Sequence, residues 1–334
     1  MTRIAVLDDY IGIAEEFGDW SALGDRAQVT FYREAIPPGR LVEELADYEV
    51  LVITQQRARF PREVLENLPK LKLIVTNGRT SSVVDHEARR ERHILMCGAV
   101  DDPPASPGSV TPPTSSGARR GISPPGEMAW ALLFAVTKRI GIEDRAIRAG
   151  GWQTGFPTSL SGLTLGLAGL GTLGAMMVEP ARAFGMDVIA WSENLTDERT
   201  DALGVVHVSK EQLLRDADIL GIFLVLSDRT RGLFSSKDLA LMKPSSFIVN
   251  ISRGPIIDEA ALVEALRTGQ IAGAGLDVFD EEPLPKDHPL RSLENVVVMP
   301  HLGYVTEAGF KNSFKKMAED VVAYLDGTPI RVVE

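Results

Sequence analysis

Short apolar runs alternate with polar, helix-patterned segments along most of the chain. In the first third the runs are RIAVLDD, QVTFYRE, EVLVITQ, LKLIVTNG and HILMCGA. Between them lie stretches such as PGRLVEELADY and PREVLENLPK, with Pro at the helix entry. A strand covered on both faces reads as a continuous apolar run, so this series predicts a mostly parallel sheet with helices over it, ending near Val100. A second series follows: LTLGLAG, DVIAWS, VVHVS, DILGIFLVL, SFIVNIS, AGAGLDVF and NVVVMP. Its helices carry capping signals, as in SKEQLLRDA and in DEAALVEALRTG, which Gly269 closes. The last segment, TEAGFKNSFKKMAEDVVAYLDG, reads as one amphipathic helix starting at Thr306. No internal repeat is visible. The pattern predicts two α/β domains.

One stretch breaks the rhythm. Of the 26 residues from Asp101 to Gly126, seven are Pro, five Ser and four Gly, a composition that resists both helix and strand. Ser123 and Pro124 can cap and open the helix that follows, read as continuous through EMAWALLFAVTKRIGIEDRAIRAG.

Composition narrows the classes. With 334 residues the chain holds two full cores, and 44% hydrophobic and 24% charged residues are ordinary for a soluble globular protein. A net charge of −11 argues against nucleic-acid or acidic-membrane binding, so an anionic substrate needs locally placed Arg or Lys. The single cysteine, Cys97, forbids an internal disulfide, fits a reducing compartment and sits in an apolar run as a buried strand residue would. The N-terminus lacks a signal-peptide pattern, and no apolar run approaches the ~18 residues of a membrane span; the expected location is the cytoplasm.

Candidate chemistry begins at LTLGLAGLGTLGAMMVEPARAFGMDVIAWSEN, where Gly169, Gly171 and Gly174 stand in G-x-G-x-x-G spacing within a strand–helix–strand context. Gly169 permits the tight turn, Gly171 lets backbone approach a pyrophosphate, and Gly174 lets helix and strand pack closely. The alternative is a merely tight turn. After the second strand come Ser192 and Glu193, and no cation appears until Arg199. Glu193 can serve as the acid on the adenosine ribose, which favours NAD and leaves NADP open; otherwise it is a solvated turn residue.

Three further stretches, NISRGPIIDEAAL, GAGLDVFDEEPLP and VVVMPHLGYVTEAG, each put a polar residue just past an apolar strand: Arg253, Glu282 and His301. Open α/β sheets place their ligand crevices at that end of the strands. With the glycine loop, LKLIVTNG and DRTRGL, these blocks resemble the D-isomer-specific 2-hydroxyacid dehydrogenase family over most of the chain. The resemblance implies reduction of a small 2-oxo acid to the D-2-hydroxy acid, with a nicotinamide cofactor and no metal. Arg253 would clamp the carboxylate through its planar fork, His301 would act as general acid and base, and Glu282 would hold the other imidazole nitrogen and tune the ring. It also implies that Thr172 and Leu173 cover the pyrophosphate, that Ile251 and Asp277 hold the nicotinamide carboxamide, and that Gly303 joins the cofactor site. Gly78 and Arg79 would offer backbone N–H groups to the substrate carboxylate, and Arg57 is a weaker candidate. The remaining histidines, His86, His93, His207 and His288, read as structural or exposed.

The chain departs from the family pattern at several points. GRTSSVVD replaces the usual substrate loop, with Thr80, Ser82 and Val83 at altered positions; Leu163, Ser192, Phe223 and Val225 replace a common Lys, Asp, His and Pro. The largest departure is the expanded crossover, which could be an inert excursion, a flap over the substrate or a slipped coding frame. The implied architecture is two doubly wound domains around a cleft: a discontinuous flavodoxin-like substrate domain (1–105 and 302–334), the crossover (106–126) and a Rossmann nucleotide domain (127–301). A homodimer is the family's usual state. The rival reading is a dinucleotide-sensing, corepressor-like binding protein on the same scaffold.

Overall fold

A computed structural model describes residues 1–54, 57–79, 81, 83–100 and 121–333. All twelve apolar runs form strands, in two parallel sheets. The first sheet holds β1 (Thr2–Val6), β2 (Ala27–Phe31), β3 (Val50–Ile53), β4 (Leu73–Thr76) and β5 (Leu95–Gly98), in the order β2-β1-β3-β4-β5. That is the flavodoxin-like winding. The second holds β6 (Thr164–Ala168), β7 (Asp187–Trp191), β8 (Val206–His207), β9 (Ile219–Ile222), β10 (Phe247–Asn250), β11 (Gly273–Leu276) and β12 (Val296–Val298). Its order is β12-β11-β10-β9-β6-β7-β8, the Rossmann winding with one added strand. The continuous apolar runs have the expected cause: β3, β4, β9, β10 and β11 are buried along their whole length.

The chain divides into two compact units, one drawing its described residues from 1–100 and 306–333, the other from 121–305. The first unit has one apolar cluster, built around residues such as Leu51, Phe60 and Ile74. In the second, one cluster around Leu220, Phe234 and Ile248 and another around Leu133, Leu167 and Val249 line the sheet. The closing helix, Glu307–Leu325, is capped by the Thr306 hydroxyl accepting from Gly309 N (3.1 Å) and belongs to the first unit. Beyond it Arg331 and Val333 run along β5: Gly98 N donates to Arg331 O and Val333 N donates to Met96 O. Cys97 is buried there.

Local expectations meet two corrections. The segment after Ser123 is not one helix but two, Pro124–Thr137 and Ile140–Arg148, separated by Arg139 at φ 56°. The break has a partner: Thr158 N donates to Thr137 O, and the Lys138 ammonium donates to Thr158 O, so a passing segment takes the carbonyl that another helical turn would use. Ser123 does precede the helix, but its hydroxyl faces Met176 Sδ (3.3 Å) rather than capping the backbone. Elsewhere the signals hold. Ser209 and Asp258 cap their helices, and Gly269 follows the second of these at φ 70°. The crossover expected at 106–126 lies outside the described residues up to 120, as do Thr80 and Ser82 of the altered loop.

Candidate active site

Because the second sheet is parallel, the carboxyl ends of all its strands open on one edge, and every candidate of the second series follows such an end. The glycine loop follows β6. Gly169 sits at φ 101°, where a Cβ would lie 2.7 Å from Phe223 O, so both the turn and its neighbour demand glycine. At Gly174 a Cβ would lie 2.1 Å from Gly169 O; only glycine lets the helix approach the loop so closely. Gly171 is different. A Cβ there would meet nothing within 4 Å, leaving open space above the loop for a diphosphate. Thr172 and Leu173 open the short helix Thr172–Met176 beside it. These residues fit a dinucleotide.

A cavity of about 320 Å³ lies against this loop, lined by Gly169–Gly171, Ser192, Asn194, Thr196, Arg199 and the end of β9. Ser192, directly after β7, belongs to the lining; Glu193 is exposed and does not. Arg199 was the cation judged too distant in sequence. The chain turns after β7, with Leu195 N donating to Ser192 O, and the helix Asp197–Asp201 brings Arg199 back to donate from Nε to Leu170 O (3.1 Å).

Arg253 follows β10 in a loop held from within. Asn250 bridges it, accepting from Ser252 N (3.0 Å) through Oδ1 and donating from Nδ2 to Arg253 O (3.0 Å). The buried Ser252 hydroxyl donates to Ile222 O (2.8 Å), fastening the loop to β9. Arg253 itself is half-buried, with Nη1 donating to Ser252 O (2.7 Å). Ile251 is buried at the strand end. At Gly254 a Cβ would stand 2.1 Å from Phe279 C, so the loops after β10 and β11 touch through bare backbone.

Glu282 lies in that second loop and is aimed by it. Phe279 N donates to its Oε1 (3.0 Å), while Oε2 lies 2.6 Å from His301 Nδ1. Both side chains are nearly buried, 12% exposed for His301 and 17% for Glu282. A carboxylate only accepts, so the Nδ1 proton points at Glu282; Nε2 then has no partner among the described residues. His301 itself adopts φ 56°, a left-handed conformation that costs an L-residue on the order of 1–3 kcal/mol. Asp277 holds it there. Its buried carboxylate accepts from Leu302 N and Gly303 N, both at 2.8 Å, stapling the turn to β11. Burial pushes the Asp277 carboxyl above its usual range, and those two N–H groups pull it back.

Arg253, Glu282 and His301 therefore stand at the ends of three neighbouring strands, β10, β11 and β12, a span of about 10 Å at ordinary strand spacing. Gly78, Arg79 and Arg57 belong to the first unit. Gly78 is half-buried and Arg79 exposed, in a loop whose carbonyls press on Gly98. Arg57 lies 4.8 Å above the Tyr10 ring, and Tyr10 donates to the buried Asp8 (2.9 Å), which has φ 60°. Sequence reasoning missed Asn250, Ser252, Gly254 and Arg199. A glycine wedged between Arg253 and Pro255 was the one available hint; the rest act through contacts that close only in three dimensions.

The chain is similar to known proteins over most of its length. The profile described as "D-isomer specific 2-hydroxyacid dehydrogenase, NAD binding domain" matches residues 130–303. The chain is 33% identical to a glyoxylate reductase of Thermococcus litoralis, over 88% of this chain and 86% of that one. It is 34% identical to a D-3-phosphoglycerate dehydrogenase of Methanocaldococcus jannaschii over 98% of its own length, spanning 58% of that protein. Among solved structures, a phosphoglycerate oxidoreductase of Vibrio cholerae superposes with a TM-score of 0.83 at 29% identity, covering 98% of this chain and 100% of that one.

Proposed function

Since the chain belongs to the D-isomer-specific 2-hydroxyacid dehydrogenase family, and is thus an oxidoreductase that uses a nicotinamide dinucleotide, we propose that it reduces a small 2-oxo acid to the D-2-hydroxy acid with His301 as proton donor. The observation that carries this reading is the 2.6 Å contact between His301 Nδ1 and Glu282 Oε2, which leaves Nε2 available to the substrate. The nicotinamide ring, when bound, supplies the hydride. Arg253 binds the carboxylate and draws electron density from the ketone, which a guanidinium does through paired N–H donors. His301 Nε2 delivers a proton to the developing alkoxide, and in the reverse direction takes it from the alcohol. Glu282 keeps the ring in one orientation and offsets its positive charge while the proton is held. Asp277 keeps the His301 turn in its left-handed form, so that the imidazole needs no rearrangement between turnovers.

The relatives' names give glyoxylate and 3-phosphoglycerate as substrates, and the acid reduced here is of that class, glyoxylate or hydroxypyruvate in size. We also propose a homodimer, because Trp152 and Phe156, 74% and 96% exposed, project from the segment after the helix Ile140–Arg148. The test is a panel of 2-oxo acids assayed by loss of reduced-cofactor absorbance, with His301→Ala beside the wild type. The variant should lose about 10²–10⁴-fold in kcat while binding the cofactor unchanged. Full turnover in His301→Ala would remove the histidine from the chemistry.

A further inference from the structure

Resting on that reading of the same site as a nicotinamide-dinucleotide site, we infer that the cavity beside the glycine loop is built for a 2′-phosphate, so that the chain takes NADP(H) in preference to NAD(H). In a Rossmann domain the residue after the second strand faces the adenosine ribose, where a carboxylate accepts from the hydroxyls and repels a phosphate. Here that position is Ser192, which can donate instead. No carboxylate among the described residues lines the cavity. Asn194 and Thr196 add neutral polar groups, and among the described residues Arg199 is the sole charged side chain in the lining.

The geometry around Arg199 is what a phosphate needs. Its Nε is spent on Leu170 O, which fixes the guanidinium against the glycine loop, and neither terminal nitrogen has a partner among the described residues. Of the three acids near it in sequence, Asp201 is exposed and outside the lining, and the other two are engaged elsewhere. Asp197 contacts His207 Nδ1 at 2.6 Å, and the Glu198 carboxylate is bonded to its own backbone N–H and to the Thr196 hydroxyl. Glu193 is exposed and outside the lining. In a chain of net charge −11, a pocket whose only formal charge among the described residues is positive selects for the additional anion.

Calorimetric titration with ADP-ribose and 2′-phospho-ADP-ribose tests this without any turnover. The phosphorylated ligand should bind the wild type about tenfold or more tightly than ADP-ribose, as charge-assisted hydrogen bonds warrant. Arg199→Gln should bring the two ligands within about twofold of each other, mainly by weakening the phosphorylated one. Ser192→Asp, which restores a carboxylate, should reverse the preference. Equal binding by the wild type, tighter binding of ADP-ribose, or a preference that survives Arg199→Gln each overturns the proposal. If the 2′-phosphate preference is found but no 2-oxo acid is reduced with either cofactor, the substrate reading falls and this one stands. If neither ligand binds, both fall.

Discussion

Removing the Asp277 carboxylate leaves two backbone donors, on Leu302 and Gly303, without acceptors beside a strained histidine. Each orphaned donor costs about 1–3 kcal/mol. Asp277→Ala should therefore melt several degrees lower and lose at least about tenfold in kcat, because His301 no longer stays poised. Thermal denaturation and steady-state kinetics check this, and an unchanged kcat would show that the staple is irrelevant to catalysis. Asp8 offers a pH test. Burial raises its carboxyl above the ordinary value, with the Tyr10 hydroxyl and the Arg57 charge pulling the other way. The folded chain thus keeps this proton to higher pH than the unfolded one. The resulting stability is complete below the ordinary carboxylate range and is lost as pH rises through the raised folded value. Asparagine tolerates the left-handed backbone and still accepts from Tyr10, so Asp8→Asn should gain in melting temperature relative to the wild type as pH increases from about 4 to 7. A difference that stays constant with pH would refute it. At this scale the sequence made Arg253, Glu282 and His301 readable as candidates, since each lies within a few positions of an apolar run. Arg199 was unreadable because a turn and one short helix cancel its distance from β7.

Elements were legible in proportion to their burial. Most strands could be read as apolar runs because their residues are buried, β8 by its buried flanks Val205 and Val208, and the closing helix could be read from Thr306 onward by its spacing. The break at Arg139 could not be read, because the one helix-disfavouring glycine in VTKRIGI, Gly141, lies inside the second helix; the competitor is Thr158, twenty-one positions beyond the carbonyl it captures. Sheet order came from the family resemblance alone, since a parallel run carries no mark of its neighbours. The segment pinned by Thr158 also displays Trp152 and Phe156, and the homodimer proposal rests on them. Changing both to Ser should halve the mass measured by light scattering at micromolar concentration, with the circular dichroism spectrum unaltered. A mass that does not change would exclude this segment from the interface.

On the scale of the molecule, each unit has a sheet and apolar clusters of its own, and the dinucleotide features belong to the second alone. Saturation with cofactor at about a hundred times Kd stabilises the unit that holds it by about 2.7 kcal/mol. Hydrogen exchange in β6, β7 and β9 should slow accordingly, by about a hundredfold where exchange needs global opening, while β1 and β2 gain little. Equal protection in both sheets would show that the units open together. Because the first unit draws on residues 306–333, synthesis imposes an order on assembly. A ribosome that has reached position 305 has already delivered every strand of the dinucleotide sheet, yet the five-stranded sheet still lacks its closing helix and the tail along Cys97. The half made first must wait for residues 306–333, so truncation ahead of them would release a chain with one finished lobe and one sticky, unroofed one.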